Sequence, residues 1–414
     1  MLTRHVLDGA AFPDALCNDG TPAVFYFRPA LTQADADKWV IQLQGGGSCQ
    51  SGDECAARWC SVGTAFSMVG MSSGPAPDTG IDGHGILRRS TDGPLPSPNP
   101  LEGYNQVFVK YCSSDKWIGT HRDATLEGHH PKTQAPVTYR AHFLGRRILE
   151  ATLATLRADG VPALAYDGEP MPDLDDATAV VFAGASGGGS GVLNNGDFVA
   201  AELGKHAPAL AELRVLADSI TGPERIGVGF EATPLCADSG ICTGEDYLQA
   251  SEAEQQVAWK PLHDASCIAY HPGEAWRCAD ETHLAHNHVT TPLFVRMGLT
   301  DELLSGPYVE MGLTDENGQP YDLKKFGLKV REQLLALASI QSTAEEAGDI
   351  AVEPAAFGPI CSKHETLRSD PDTYEVTIDP GAGPRTMLDV FTAWRSGTAT
   401  QLVTASPTDT VCPK

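Results

Sequence analysis

Ala179-Val-Val-Phe-Ala-Gly184-Ala-Ser186-Gly-Gly188-Gly-Ser-Gly191-Val-Leu193 runs from a short apolar strand, through a serine, into a glycine-rich helix start. Gly184-x-Ser186-x-Gly188 has the spacing of a nucleophile elbow. A sharp strand-to-helix turn holds such a serine in a strained conformation, and only small neighbours let strand and helix approach. Its hydroxyl then stands clear of the sheet, and the helix N-terminus behind it favours developing negative charge. The competing reading is a glycine-rich loop with a solvated serine. A phosphate-binding loop does not fit, because no lysine follows the glycines.

Working outward, Ala23-Val-Phe-Tyr-Phe27 and Trp39-Val-Ile-Gln-Leu-Gln44 read as early strands, rich in β-branched and aromatic residues. The second runs into Gly45-Gly46-Gly47-Ser48-Cys49, a loop whose backbone N–H groups are free to face a ligand. Residues 71–100 are rich in Gly, Pro, Ser and Asp and read as loop. Gln106 to Tyr111 is a further strand, with Asp115 and Trp117 at its C-terminal rim, where open α/β sheets bind ligands. Helical spacing predicts helices over 139–158, 323–347 and 387–394, and strands over 213–218 and 292–297. Residues 355–364 read as irregular. The repeated strand-then-helix order implies a largely parallel sheet covered on both faces.

The chain has 414 residues, 42% of them hydrophobic, so it can build an ample core. No apolar run reaches the roughly 20 residues that span a bilayer. A net charge of -25 repels nucleic acid, anionic membranes and polyanionic polymers. Eleven cysteines lack the paired CxxC spacing of zinc sites, and Cys236/Cys242 and Cys267/Cys278 form local pairs. Disulfides in an oxidising compartment are the better reading, with one thiol left over. The first residues lack an apolar signal core, so a secreted protein is expected to have lost its leader before residue 1. Residues 222–289 interrupt the alternation, hold four cysteines and carry His283, His286 and His288. They read as a disulfide-stapled cap. The histidines suit a metal, but no carboxylate-bearing helix motif accompanies them and no metal is expected.

A serine hydroxyl needs a base to take its proton, and the base needs an acid to fix its tautomer. Hydrolases built on such sheets carry these groups in the order serine, acid, histidine. Ser186, Asp301 and His364 fit that order. Asp218 also ends a strand and rivals Asp301. His271 and the 283–288 trio rival His364.

The chain resembles the pectin acetylesterase/Notum family of α/β-hydrolases, and within it the Notum carboxylesterases. The resemblance rests on Leu16-Cys-Asn-Asp-Gly-Thr-Pro-Ala23, Gln44 to Cys49, Gly83-His-Gly-Ile-Leu87, Val107 to Asp115 with Trp117 and Gly119, and Gly184 to Asn194. In the second half it rests on landmarks: Val215 to Ser219, the strand into Asp301, and Cys361-Ser-Lys-His364. It implies an α/β-hydrolase fold over 1–414, a mostly parallel sheet flanked by helices, with 222–289 as the cap. It implies Ser186 as nucleophile, Asp301 as acid, His364 as base, and the N–H groups of Gly46, Gly47 and Gly187 as oxyanion donors. Asp218 falls outside the family triad. Ser48, Trp117 and Leu303 are expected to line the substrate pocket. Where the family carries an aromatic beside the oxyanion glycines, this chain has Gly47-Ser48, so acyl preference does not transfer.

The expected activity is a cofactor-free serine carboxylesterase acting on small to medium acyl esters, small or polymer-bound, as a monomer. The alternatives are polysaccharide O-acetyl esters, a polyester or lipid ester, an inert binding module on the same fold, and a serine peptidase, for which no recognition signal is present.

Overall fold

The β-branched and aromatic runs become a nine-stranded sheet. The computed structural model describes residues 1–61, 66–74, 79–157, 165–166, 169–170, 173–337, 354–397, 401–404 and 412. The strands are β1 (Thr3–Val6), β2 (Val24–Arg28), β3 (Lys38–Leu43), β4 (Asn105–Val109), β5 (Ala179–Ala185), β6 (Glu212–Asp218), β7 (Leu293–Arg296), β8 (Ala355–Gly358) and β9 (Gln401–Val403). Their spatial order is β1-β2-β4-β3-β5-β6-β7-β8-β9. Only β2 runs against its neighbours; from β4 onward every pairing is parallel. This is the α/β-hydrolase arrangement that the family resemblance implies.

Strand β5 shows why the interior strands read as unbroken apolar runs. All seven residues are buried. Val180 and Phe182 join one hydrophobic cluster, while Val181, Ala183 and Ala185 join a second. Side chains alternate across a strand, so these clusters fill the two faces of one sheet. Phe182 is fully buried, and truncation to alanine there costs about 3–5 kcal/mol.

The helices are α1 (Gly52–Trp59), α2 (Gly145–Leu156), α3 (Gly187–His206), α4 (Pro234–Ser239), α5 (Gly244–Ala258), α6 (Ala265–Tyr270), α7 (Glu281–Asn287), α8 (Glu302–Glu310), α9 (Leu323–Leu337), α10 (Asp370–Tyr374) and α11 (Met387–Arg395). Helix α3 follows the elbow directly and packs on β5 and β6. Between β6 and β7 the chain leaves the sheet and forms α4 to α7, stapled by Cys236–Cys242 and Cys267–Cys278. Cys17–Cys112, Cys49–Cys55 and Cys361–Cys412 complete five disulfides, leaving Cys60 free.

Two expectations are corrected. The helix expected from 139 begins only at Gly145, because Pro136–Phe143 pairs with His121–His129 as an antiparallel hairpin. The Gly145 N–H donates to Asp115 Oδ2 at 2.7 Å, which fixes the helix start there. Residues 355–358, expected to be irregular, form β8, whose four residues are buried between β7 and β9. The expected helix end over 338–347 lies outside the described residues.

Candidate active site

Ser186 ends β5 and sits at the N-cap of α3 with φ 54° and ψ -124°. A positive φ is a strained conformation for a residue with a Cβ, and such strain persists where surrounding structure enforces it. The enforcement is visible. The Ser186 N–H donates to the Asp218 carbonyl at 2.9 Å, and the Ser186 carbonyl accepts from Ser190 N–H at 2.9 Å. A Cβ at Gly184 would strike the Gly188 backbone, so this turn closes only with glycine there.

The glycine loop after β3 lies against this turn. A Cβ built on Gly187 would stand 3.2 Å from the Gly47 carbonyl, 3.3 Å from Gly47 N and 3.6 Å from Gly46 N. Gly46 and Gly47 have φ of 138° and 62°, left-handed values open to glycine. The loop is anchored by Cys49 N–H donating to the Ser114 carbonyl at 3.1 Å and by the Ser48–Asp115 bridge. The backbone nitrogens of Gly46 and Gly47 therefore lie close beside Gly187. The ring of Phe66 lies 2.6 Å from where a Cβ on Gly46 would stand, and the Arg58 guanidinium sits 4.6 Å from that ring's centre. An aromatic ring from outside the glycine loop thus stands beside Gly46.

Asp301 follows β7 and is fully buried. Its Oδ1 accepts from the Leu303 and Leu304 N–H groups, both at 3.1 Å, and caps α8. Its Oδ2 faces His364 Nδ1 at 2.8 Å. Nδ1 is the donor in that pair, because the capping bonds and this contact suit an ionised carboxylate. The Nε2 atom is then the free basic end. Burial pulls the His364 pKa down, but the hydrogen bond and charge of Asp301, with Asp218 and Glu365 behind, raise it above the ordinary imidazole value.

The His364 loop meets the serine turn through Asp218 and Gly45. Asp218 Oδ2 accepts from Thr366 N at 2.6 Å, Thr366 Oγ1 at 3.0 Å and Leu367 N at 3.2 Å. Its Oδ1 takes Ser219 Oγ at 2.9 Å and Arg296 at 3.3 Å. A Cβ on Gly45 would meet both the Ala185 carbonyl and the Glu365 carboxylate. The structure thus brings the segments of Ser186, the three glycines, Asp301 and His364 to one edge of the sheet. The Ser186 side chain does not cap α3, so its hydroxyl is not spent on the helix N-terminus.

Two cavities flank this edge. An apolar one of ≈ 150 Å³ has walls that follow directly on Asp218 and Asp301, including Ile220, Leu303, Leu304 and Tyr308. A polar one of ≈ 410 Å³ is lined by Ser48, Lys116 and Ser251 among others. Arg225, Tyr247 and Glu281 border both. Glu281 receives Lys116 Nζ at 2.7 Å and Ser190 Oγ at 3.0 Å, which ties α7 to α3. Ser48 and Leu303 therefore stand on cavity walls. Trp117 does not. With φ of 67° its ring turns into the core, fully buried, where Nε1 donates to the Gln44 carbonyl at 3.0 Å and props the end of β3.

The histidine trio also regroups. Burial pushes the His286 pKa down to about 4, and its ring meets the Gln333 backbone instead. His271 takes its place beside His283 and His288. Burial, then the charges of His283 and His271, bring His288 down to about 4.

A family model described as pectinacetylesterase matches residues 1–221, the half that carries Ser186 and the three glycines. The chain belongs to the pectinacetylesterase family. Among curated proteins, this family member is similar to palmitoleoyl-protein carboxylesterase notum1a of Danio rerio, 27% identical over 354 residues, covering 85% of this chain and 58% of that protein. It is equally similar to palmitoleoyl-protein carboxylesterase NOTUM of Homo sapiens, 27% identical over 357 residues, covering 85% of this chain and 59% of that one. The chain spans about six-tenths of the length of these relatives. The solved structure of the Wnt deacylase Notum from Drosophila shares its fold, with a TM-score of 0.66, 23% identity, and coverage of 100% of this chain and 99% of that one.

Phe66, Lys116 and Glu281 are not legible as site residues in the sequence. Phe66 lies in a loop without pattern, and the charged pair joins positions 165 apart in sequence. The one signal is the place of Lys116 on the rim after β4.

Proposed function

We propose that this family member is a serine carboxylesterase, one hydrolase domain with residues 222–289 as its cap. Ser186 Oγ attacks the ester carbonyl while His364 Nε2 takes its proton and Asp301 holds Nδ1–H. The amides of Gly46, Gly47 and Gly187 receive the oxyanion, and the dipole of α3 adds to them. His364 then protonates the leaving alcohol, and water resolves the acyl-enzyme by the same steps. The observation that carries this reading is the Asp301–His364 pair at 2.8 Å, in a loop that Asp218 ties to the turn where Ser186 is forced to φ 54°. The carboxylesterase activity in the names of the relatives agrees with ester chemistry.

The cavities favour a short acyl group. A space of ≈ 150 Å³ is about what a benzene ring occupies, which corresponds to an acyl tail of about six carbons. A palmitoleoyl chain, the group in the relatives' names, is far longer. The larger polar cavity suits the alcohol side, including a neutral sugar, and so keeps a polysaccharide O-acetyl ester as the second reading. At -25 the protein repels a polyanionic strand. Five disulfides point to an oxidising compartment, and no helix among the described residues is long and apolar enough to cross a membrane.

A fluorophosphonate probe should label Ser186, and Ser186→Ala should lose labelling together with several orders of magnitude in p-nitrophenyl acetate turnover. Unchanged turnover in Ser186→Ala refutes the assignment. Neither labelling nor turnover of any ester would point to an inert module, because an unactivated serine does not react with the probe.

A further inference from the structure

We propose that His271, His283 and His288 form a binding site for one divalent transition-metal ion of the zinc or cobalt class. The three imidazoles make an equilateral triangle, with every pair of ring centres 5.2 Å apart. Their ligand atoms lie within 4.8 Å of one another, and His271 Nε2 is 3.1 Å from His283 Nε2. A tetrahedral ion with metal–nitrogen bonds of about 2.0–2.1 Å separates its nitrogens by about 3.3 Å and the ring centres by about 5 Å. The ring centres and the His271–His283 nitrogens match that geometry, and His288 is close enough to join it by a small shift of its ring. His283 Nδ1 meets Glu224 Oε1 at 3.2 Å, so a carboxylate orients this ring and leaves Nε2 toward the other imidazoles, as metal-binding histidines are held. An all-imidazole set selects zinc, copper, nickel or cobalt over the oxygen-seeking calcium and magnesium.

The scaffold explains how three residues so spread in sequence converge. His271 is the C-cap of α6, His283 lies in the first turn of α7, and His288 is the C-cap of α7. The Cys267–Cys278 disulfide ties α6 to the turn that leads into α7. Cys267 Sγ belongs to the same cluster but is held in that bond, so the thiolate a metal prefers is withheld and water takes the fourth place. An ion here clasps α6 to both ends of α7. Helix α7 begins with Glu281 and Thr282 on the apolar cavity wall, so the clasp stiffens one side of the proposed ester site. The metal proposal does not depend on the esterase reading.

The test uses the full chain, stripped with EDTA and exchanged into buffer free of chelator and thiol, then titrated with Co²⁺ alone. The expected result is saturable visible d–d absorption that plateaus at one equivalent and is displaced by Zn²⁺. His271→Ala, a half-exposed residue at a helix end, should abolish the bands while its metal-free melting temperature stays at the wild-type metal-free value. Glu224→Ala should weaken binding about 10- to 100-fold. His286→Gln should bind as the wild type does. A wild type without d–d bands and without a Zn²⁺-dependent rise in melting temperature overturns the proposal. So does undiminished binding in His271→Ala.

Discussion

Asp301→Asn separates catalysis from folding at a single atom. Asp301 Oδ1 caps α8 through Leu303 and Leu304, and Oδ2 takes His364 Nδ1. An asparagine has one oxygen, and two backbone N–H donors require it at the cap. Its NH₂ then faces His364, so Nδ1 must become an acceptor and the proton moves to Nε2. That tautomer cannot take the Ser186 proton. The expected loss is about 10⁴-fold in kcat/KM, about 5 kcal/mol of transition-state stabilisation. The helix cap survives, and losing the negative charge at the α8 N-terminus costs only about 0.3–1 kcal/mol of stability. The sign of the pH effect follows from the causes acting on His364. In the native protein its pKa is raised, so activity falls as pH drops through a point above the ordinary imidazole value, where the base becomes protonated. In Asp301→Asn the Asp301 hydrogen bond and charge, the largest raising contacts, go, while burial and the smaller pull of Asp218 and Glu365 remain, so the acidic limb moves to lower pH. The assay is kcat/KM for a p-nitrophenyl ester across pH, with thermal melts of both proteins. Activity within about tenfold of wild type, or an acidic limb that stays in place, would refute Asp301 as the partner of the base.

Three further outcomes are expected. Gly46→Ala forces a Cβ onto a residue at φ 138° and to 2.6 Å from Phe66, so kcat should fall about 10²–10³-fold with KM little changed; steady-state kinetics checks this. In a chain-length series of p-nitrophenyl esters, turnover should peak at short acyl groups and fall beyond about six carbons, and Met311→Ala, which widens the apolar cavity, should shift the peak to longer chains. Replacing Cys17 and Cys112 by serine opens a link across 95 residues, worth about 4–5 kcal/mol in the loop-entropy account. Opening Cys236–Cys242, which spans 6, should cost clearly less in a denaturant melt.

Much of the fold was legible because both sheet faces are covered. Buried parallel strands such as β5 and β6 read as continuous apolar runs, and glycine spacing marked the elbow between them. Elements whose partners are distant were not legible. Strand β1 is only four residues with mixed exposure, and it exists because β2 pairs with it. The hairpin of 121–143 competed with a helical pattern, and tertiary pairing over α1 and α5 won. Ser186 was readable from local backbone demands. Phe66 and Glu281 reach the site only through the folded chain, and no local pattern foretells that.

The two acids at strand ends show where sequence stops and hydrogen-bond accounting takes over. Asp218 and Asp301 each follow a strand after the serine, so order alone does not choose between them. A carboxylate offers about four acceptor positions. Asp218 spends its positions on two backbone N–H groups and a hydroxyl of residues 366–367, on Ser219 and on the buried Arg296. None is left for an imidazole. Asp301 spends one oxygen on a helix cap and keeps the other for His364. Asp218 instead fixes both sides of the encounter. Its carbonyl holds the Ser186 N–H, and its side chain holds the loop that begins two residues after His364. In the proposed mechanism one acid therefore sets where Ser186 and the His364 loop stand, and the other sets which nitrogen of His364 is left as the base. That division follows from which donors each strand end meets, a fact of the sheet order rather than of either residue's neighbours in the chain.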